Sequence, residues 1–299
     1  MEHAADPVLK GSAVSKKTVV KSGPTSAMAV RHANRTPARI AQGKDGTIVA
    51  SDPVAGSIFI YDSGLRLQGE IKGLDKPLGV AVDPDGRIYV GCDGGDSVEV
   101  FGTDGEKLAT IGLGRIQMPN DLALDAKGNL YVADSRANRV LVFSIGGKFV
   151  RGIGACGESD LSFPAALAVS GDELYVADQG NARIRVFDEE GVCLRTLGGP
   201  VGEFSDDWKG KFVRPQSLDI DENGLVHVLD AFMNRVQVLD AVTGAFIRSY
   251  GEPGKAPGRL SLPLDILITS DGRVLAADSG NHRVGVIGAE FRATATEDR

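Results

Sequence analysis

Two sets of residues in this 299-residue chain have the types and spacing that chemistry needs. The first is a carboxylate written six times, Asp52, Asp93, Asp134, Asp178, Asp230 and Asp278, at intervals of 41 to 52 residues. In four copies an arginine follows five residues later: Arg139, Arg183, Arg235 and Arg283. A carboxylate that accepts from loop amides and from a guanidinium fixes a turn. A group repeated in every unit is expected to be architecture rather than a single active centre. The neighbouring Asn138, Asn181, Asn234 and Asn281 suit a tightly wound backbone.

The second set differs from unit to unit. A proline opens each one (Pro37, Pro77, Pro119, Pro164, Pro215, Pro263), and just behind these prolines stand Arg39, Asn120, Asp121, Gln216 and Asp265. These side chains could orient a polar or anionic ligand, and their hard oxygens leave room for calcium. One stretch departs from the repeat, "GGPVGEFSDDWKGKFVRP", Gly198 to Pro215. It carries the sole tryptophan, Trp208, with Phe204 and Phe212 nearby and Asp206, Asp207 and Lys209 beside it. "DAFMNR" offers Phe232 and Met233. Exposed aromatics on a rigid scaffold are anchors for a partner.

Other chemistries find no support. The four histidines cannot assemble a zinc site. His3 and His32 precede the repeats. His227 takes the strand position held by Tyr89, Tyr131 and Tyr175 elsewhere, and His282 sits in a repeated loop. No Gly-x-Ser-x-Gly elbow and no phosphate-binding Gly-rich loop occurs. Cys92, Cys156 and Cys193 are far apart and odd in number, which reads as neither a disulfide framework nor a zinc motif. Each is expected as a small buried or half-buried residue.

The elements that must position these groups are short strands. After each proline runs a partly alternating segment such as "LGVAV" or "NDLAL". A turn follows ("PDG", "AKG", "SDG"), then a second run ("NLYVA"), the Asp-led loop, a third run ("RVLVF"), another Gly turn and a fourth run ("KLATIG"). Period-two runs of about five residues split by turn residues are antiparallel strands. Six units of four strands at this period predict an all-β fold, a six-bladed β-propeller of four-stranded antiparallel blades. The last unit shows three clear strands. Its fourth is expected from the N-terminal "KTVVKSG" or "SAMAVRH" rather than from the C-terminal "EFRATAT", because an unclosed ring leaves an exposed edge.

Charge and composition bound the rest. The net charge is −7. Residues 1–36 hold six Lys/Arg against two acids, so the body is more acidic still, which argues against tracking nucleic-acid phosphates. Residues 1–14 read as a flexible basic tail and 15–299 as one propeller. The N-terminal stretch lacks an apolar core, so the expectation is a cytoplasmic protein, or a periplasmic or extracellular one already freed of its leader. No apolar run is long enough to span a membrane, and a monomer is expected.

"GESDLSFPAALAVSGDELYVADQGNARIRVFDEEG" and "PLDILITSDGRVLAADSGNHRVGVI" resemble NHL repeats, over about residues 37–288. The first two units depart from the pattern: "SDPVAGSIFI" and "CDGGDSVEVF" lack the Asn and Arg of the later loops. The resemblance implies a ring used mostly for binding and in some relatives for catalysis. "PNDLALDAKGNLYVAD" is similar to part of the calcium-dependent gluconolactonase pattern, which would make Asn120 a metal ligand. Arg39 stands where that pattern has an early Glu. A peptidyl-hydroxyglycine lyase would need zinc-binding histidines that this chain does not bring together. The reading is therefore a non-catalytic propeller that binds a protein, peptide or glycan on its loop face. Arg39, Asn120, Asp121, Trp208, Gln216, Phe232 and Asp265 form its site, without a cofactor. The alternative is a metal-assisted hydrolase or lyase centred on the axis.

Overall fold

A computed structural model of the protein describes residues 29–31, 35–154, 159–202 and 207–287. These form twenty-four strands in six four-stranded antiparallel sheets, arranged as a propeller. The innermost strands are β2 (Ile40–Gln42), β6 (Pro77–Val82), β10 (Pro119–Leu124), β14 (Pro164–Ser170), β18 (Pro215–Ile220) and β22 (Pro263–Ile268). In the first five blades the chain runs outward from the axis in sequence order.

The sixth blade is closed from the other end of the chain. β1 (Ala29–Arg31) pairs antiparallel with β24 (Arg283–Ile287), Val30 opposite Val284. The expected N-terminal donor lies in "SAMAVRH". "KTVVKSG" and "EFRATAT" fall outside the described residues.

The core is six cores. One apolar cluster fills each gap between neighbouring blades, such as Tyr131, Val140, Val142, Leu167, Val176 and Phe187 between the third and fourth. The gap between the sixth and first is filled in the same way by Leu275, Ala277, Ile48 and Phe59. A middle strand is therefore covered on both faces. This is why "LYVAD", within β11 (Asn129–Asp134), is buried throughout instead of alternating. Each fully buried large side chain, Phe143 for example, contributes about 1.5–3 kcal/mol.

The repeated Asp is a staple. Asp134, at the end of β11, accepts the amides of Gln117 and Met118 at 2.8 and 3.0 Å, fixing the connection that enters the blade. Asp178 does the same for Ser162 and Asp278 for Ser261, each at 2.7 Å. The expected arginine partner joins in three blades: Arg139, Arg183 and Arg283 donate Nε at 3.1, 2.7 and 2.8 Å. The fourth blade of this kind differs. Asp230 is filled by the amides of Val213, Arg214, Phe232 and Met233, and Arg235 lies over Trp208 instead.

Two sequence expectations change here. The left-handed residue in these loops is the fourth after the Asp, whatever its type: Asn138, Ala182, Asn234 and His282, at φ 48 to 55°. Asn181 and Asn281 sit one place earlier and bond the Asp carboxylate. Cys193 is disulfide-bonded, because spacing along a chain does not bound distance in a folded ring, while Cys92 is buried. His227 packs in its strand as expected. It takes over the tyrosine's bond to the turn carboxylate, with Nε2 3.1 Å from Asp221 and Nδ1 2.8 Å from Tyr250.

Candidate functional site

The geometry of the axis begins with the prolines. Pro119 lies opposite Asp134, yet Asp121, two residues on, lies opposite Ala133, the next residue in from Asp134, so residue 120 is a bulge. The same irregularity follows Pro77, Pro164, Pro215 and Pro263. A bulge leaves one residue outside the ladder. Here the freed carbonyls of Asn120, Ala165, Gln216 and Leu264 converge on the axis.

Their common partner is Arg39, 2% exposed. Its Nε donates to Asn120 O at 3.1 Å. Nη1 donates to Gln216 O at 3.3 Å, Leu264 O at 3.1 Å and Asp265 Oδ1 at 3.2 Å, and Nη2 donates to Ala165 O. Asp121 Oδ1 lies 3.9 Å from Nε. One guanidinium thus ties the third, fourth, fifth and sixth blades to the first. The fan of fixed N–H directions suits several acceptors at once, which a lysine ammonium would not. Gly79 opens the second blade's share of the axis: a Cβ there would meet the Asp121 backbone at 2.8 Å.

The carboxylates of this layer bridge blades. Asp121 Oδ2 accepts the Leu167 amide and Asp265 Oδ2 the Ile40 amide, both at 2.8 Å. Asp219, which the sequence did not single out, accepts the Ile268 amide at 2.7 Å. Inner strands of neighbouring blades splay apart and share no ladder, so side-chain acceptors take up amides that would otherwise lose their hydrogen bonds. Burial pushes Asp121 up to about 7, against the pull of Arg39 and with the push of Asp265. Burial likewise raises Asp219 to about 7. Asp265 is raised by burial too, with Arg39 opposing.

Of the sequence-predicted residues, the structure brings Arg39, Asn120, Asp121, Gln216 and Asp265 together. Gln216 also accepts from Gln179 at 2.8 Å through its side chain. Trp208 is elsewhere, on the flank of the fifth blade. Its ring meets Phe246 of the outermost strand, β21 (Phe246–Tyr250), edge-on at 5.7 Å, and Arg235 covers it at 4.2 Å. The insertion runs down the blade because Gln237 holds both Gly210 N and Lys211 O. Phe204 and Asp206 lie outside the described residues, and Phe212 is buried.

Phe232 does face solvent at the loop end of that blade, 62% exposed, with Arg214 stacked 5.2 Å from its ring. Val213 (47% exposed) and Leu262 (63%) stand with it, Leu262 tied to this loop through Asn234. The sequence reading missed both. Their signal was an apolar residue immediately before the "RP" or "P" that opens an inner strand, where the chain still runs on the surface. Among the described residues no helix is long and apolar enough to cross a membrane.

Comparison with known proteins agrees with this architecture. The NHL repeat matches residues 117–143, 161–187 and 260–287. Protein brain tumor of Drosophila melanogaster is 30% identical over 143 residues, covering 46% of this chain and 13% of that protein. Human NHL repeat-containing protein 3 is 23% identical over 174 residues, 55% of this chain and 50% of that one. The chain thus spans at most about half the length of these relatives. Among solved structures, a gluconolactonase from Xanthomonas campestris superposes with a TM-score of 0.66 at 16% identity, covering 88% of this chain and 99% of that one. At that identity the likeness is one of fold.

Proposed function

Since the chain is an NHL-repeat β-propeller, we propose that it is a non-catalytic binding module whose ligand, a protein or peptide, docks on the loop face at the end of the fifth blade. The observation that carries this is the exposed cluster of Phe232, Leu262 and Val213 beside Arg214. Asp230 holds it rigid by accepting the amides of Val213, Arg214, Phe232 and Met233. An apolar patch that is fixed in advance loses little freedom on binding. An aromatic next to an arginine is the composition of an interface anchor. Arg39, Asn120, Asp121, Gln216 and Asp265 then support the ring from the axis, and Trp208 stiffens the flank.

The alternative, metal-assisted hydrolysis or elimination on the axis, has a physical obstacle. The carbonyls and carboxylates that could hold a cation there already surround the guanidinium of Arg39. A divalent ion would have to displace a covalently tethered positive charge. The reading is tested by selecting peptides against the wild-type chain from a displayed library. Phe232→Ala and Leu262→Ala should each weaken the selected peptides by about tenfold or more, as truncated anchors do, with melting unchanged. Peptides that bind both variants as they bind wild type would sink it.

A further inference from the structure

Below the Arg39 layer the axis is hollow. A cavity of about 260 Å³ is walled by the second halves of all six inner strands. We propose that this cavity is a second binding site, for a small organic cation such as an aliphatic amine or guanidine, entered from the face of the turns between first and second strands.

Three features point there. The first is shape and lining. More polar than apolar surface faces it, because the side chains of Val80, Leu122, Leu167 and Ile266 pack into the gaps between blades. The volume lies just under the range of drug-sized pockets, which suits a body of a few carbons. The second is charge. Asp121, Asp219 and Asp265 all reach the cavity, and Arg39 is the one cation set among them. Its Nε stays 3.9 Å from Asp121, beyond hydrogen-bond reach. Asp219 takes only the Ile220 and Ile268 amides in the described structure and has no Lys or Arg at ion-pair distance. Three carboxylates against one guanidinium leave the cavity short of positive charge. Part of that deficit is met by protonation, since burial raises all three groups.

The third feature is the mouth. The inner strands end at turns to the second strands, and these turns hold eight Asp/Glu against four Lys/Arg. An excess of one sign of charge at a channel mouth raises the local concentration of counterions. A metal ion is the poorer occupant. Among the described residues no group of three or more His, Cys, Asp or Glu is placed to hold one. This site is on the opposite face from Phe232 and does not depend on the docking proposed above.

Titration calorimetry of the full chain with n-butylamine and n-butylguanidine, at constant ionic strength, tests the proposal, with n-butanol as the uncharged control. Both cations should bind saturably at one site and butanol should not. Asp219→Asn should weaken the cations by about tenfold. Gln42→Lys, which sets a tethered ammonium in the lining, should abolish binding, and it carries the test alone if Asp219→Asn fails to fold. Phe232→Ala should leave the cations unaffected. Absence of saturable binding by either cation at millimolar concentration would overturn the proposal. So would unchanged affinity in a Gln42→Lys protein that melts like wild type, or binding by butanol as tight as by the amine.

Discussion

Arg39 in the first blade and Asp265 in the sixth face each other across the seam where the ring closes, Nη1 to Oδ1 at 3.2 Å. The other oxygen of Asp265 accepts the amide of Ile40, the residue after Arg39. The first and last blades are thus joined at the axis by a charged pair and at the rim by the β1–β24 ladder, while the guanidinium also ties in the third, fourth and fifth blades.

Removing Arg39 should be costly. Arg39→Ala leaves Asp265 and Asp121 buried without their cation and frees four carbonyls, and breaking a buried pair from one side costs roughly 3–5 kcal/mol. Arg39→Lys should recover only part of that, having no fork of donors. Urea denaturation of the three proteins at pH 7 measures this. Equal stability of Arg39→Ala and wild type would show that the axial hub does not hold the ring.

The repeated Asp–Arg pairs should rank by burial. Arg283 is almost wholly buried and also donates to the carbonyls of Ala256 and Arg259. Arg139 is over a third exposed. Arg283→Ala should therefore cost roughly 3 kcal/mol and Arg139→Ala about 1 kcal/mol. Denaturation midpoints in the reverse order would contradict the assignment of these loops to architecture.

Closure by the N-terminal strand predicts an asymmetry between truncations. Deleting residues 1–33 removes β1 and exposes the edge of β24, so the protein should melt earlier and aggregate. Deleting residues 1–14 should leave melting unchanged. Light scattering during a thermal ramp separates the two, and a stable, soluble 34–299 fragment would mean that β1 is dispensable.

The axial carboxylates give stability a definite slope with pH. Asp121 and Asp219, both near 7, keep protons in the folded state that the unfolded chain, near 4, has already lost. The folded state binds more protons between those values, so stability falls as pH rises through that window. Around them stand Arg39, Asp265, Asp221, His227 and Tyr250. His227, lowered by burial, works the other way only below its ordinary value of about 6.5. From pH 6.5 to 8 the melting temperature should therefore drop, and Asp219→Asn should flatten the slope. A rise in wild-type melting over that interval would contradict the placement of these groups.

The period of the Pro, the Asp-Gly turns and the Asp made the blades legible, and the need to close an edge pointed to the N-terminal strand. The axial residues were legible as a set because they were the positions that did not repeat. What Arg39 does was not. Its partners are main-chain carbonyls freed by bulges more than eighty residues away, and a carbonyl has no sequence signature. Trp208 was misplaced for a related reason. "DDWKGK" shows an aromatic in a long loop, but Gln237, which pulls that loop down the flank, sits in an ordinary strand. Asp219 hides in "SLDI" because an acid at a strand end looks like a solvated one until the neighbouring blade supplies Ile268.

The most direct test of the account is elemental analysis of the purified wild-type chain for calcium and zinc, alongside Arg39→Ala. If the guanidinium is the axial cation, wild type retains neither metal in stoichiometric amount after dialysis. One equivalent of tightly held metal in wild type, lost on Asn120→Ala or Asp121→Ala, would contradict the account and turn the axis into a metal centre.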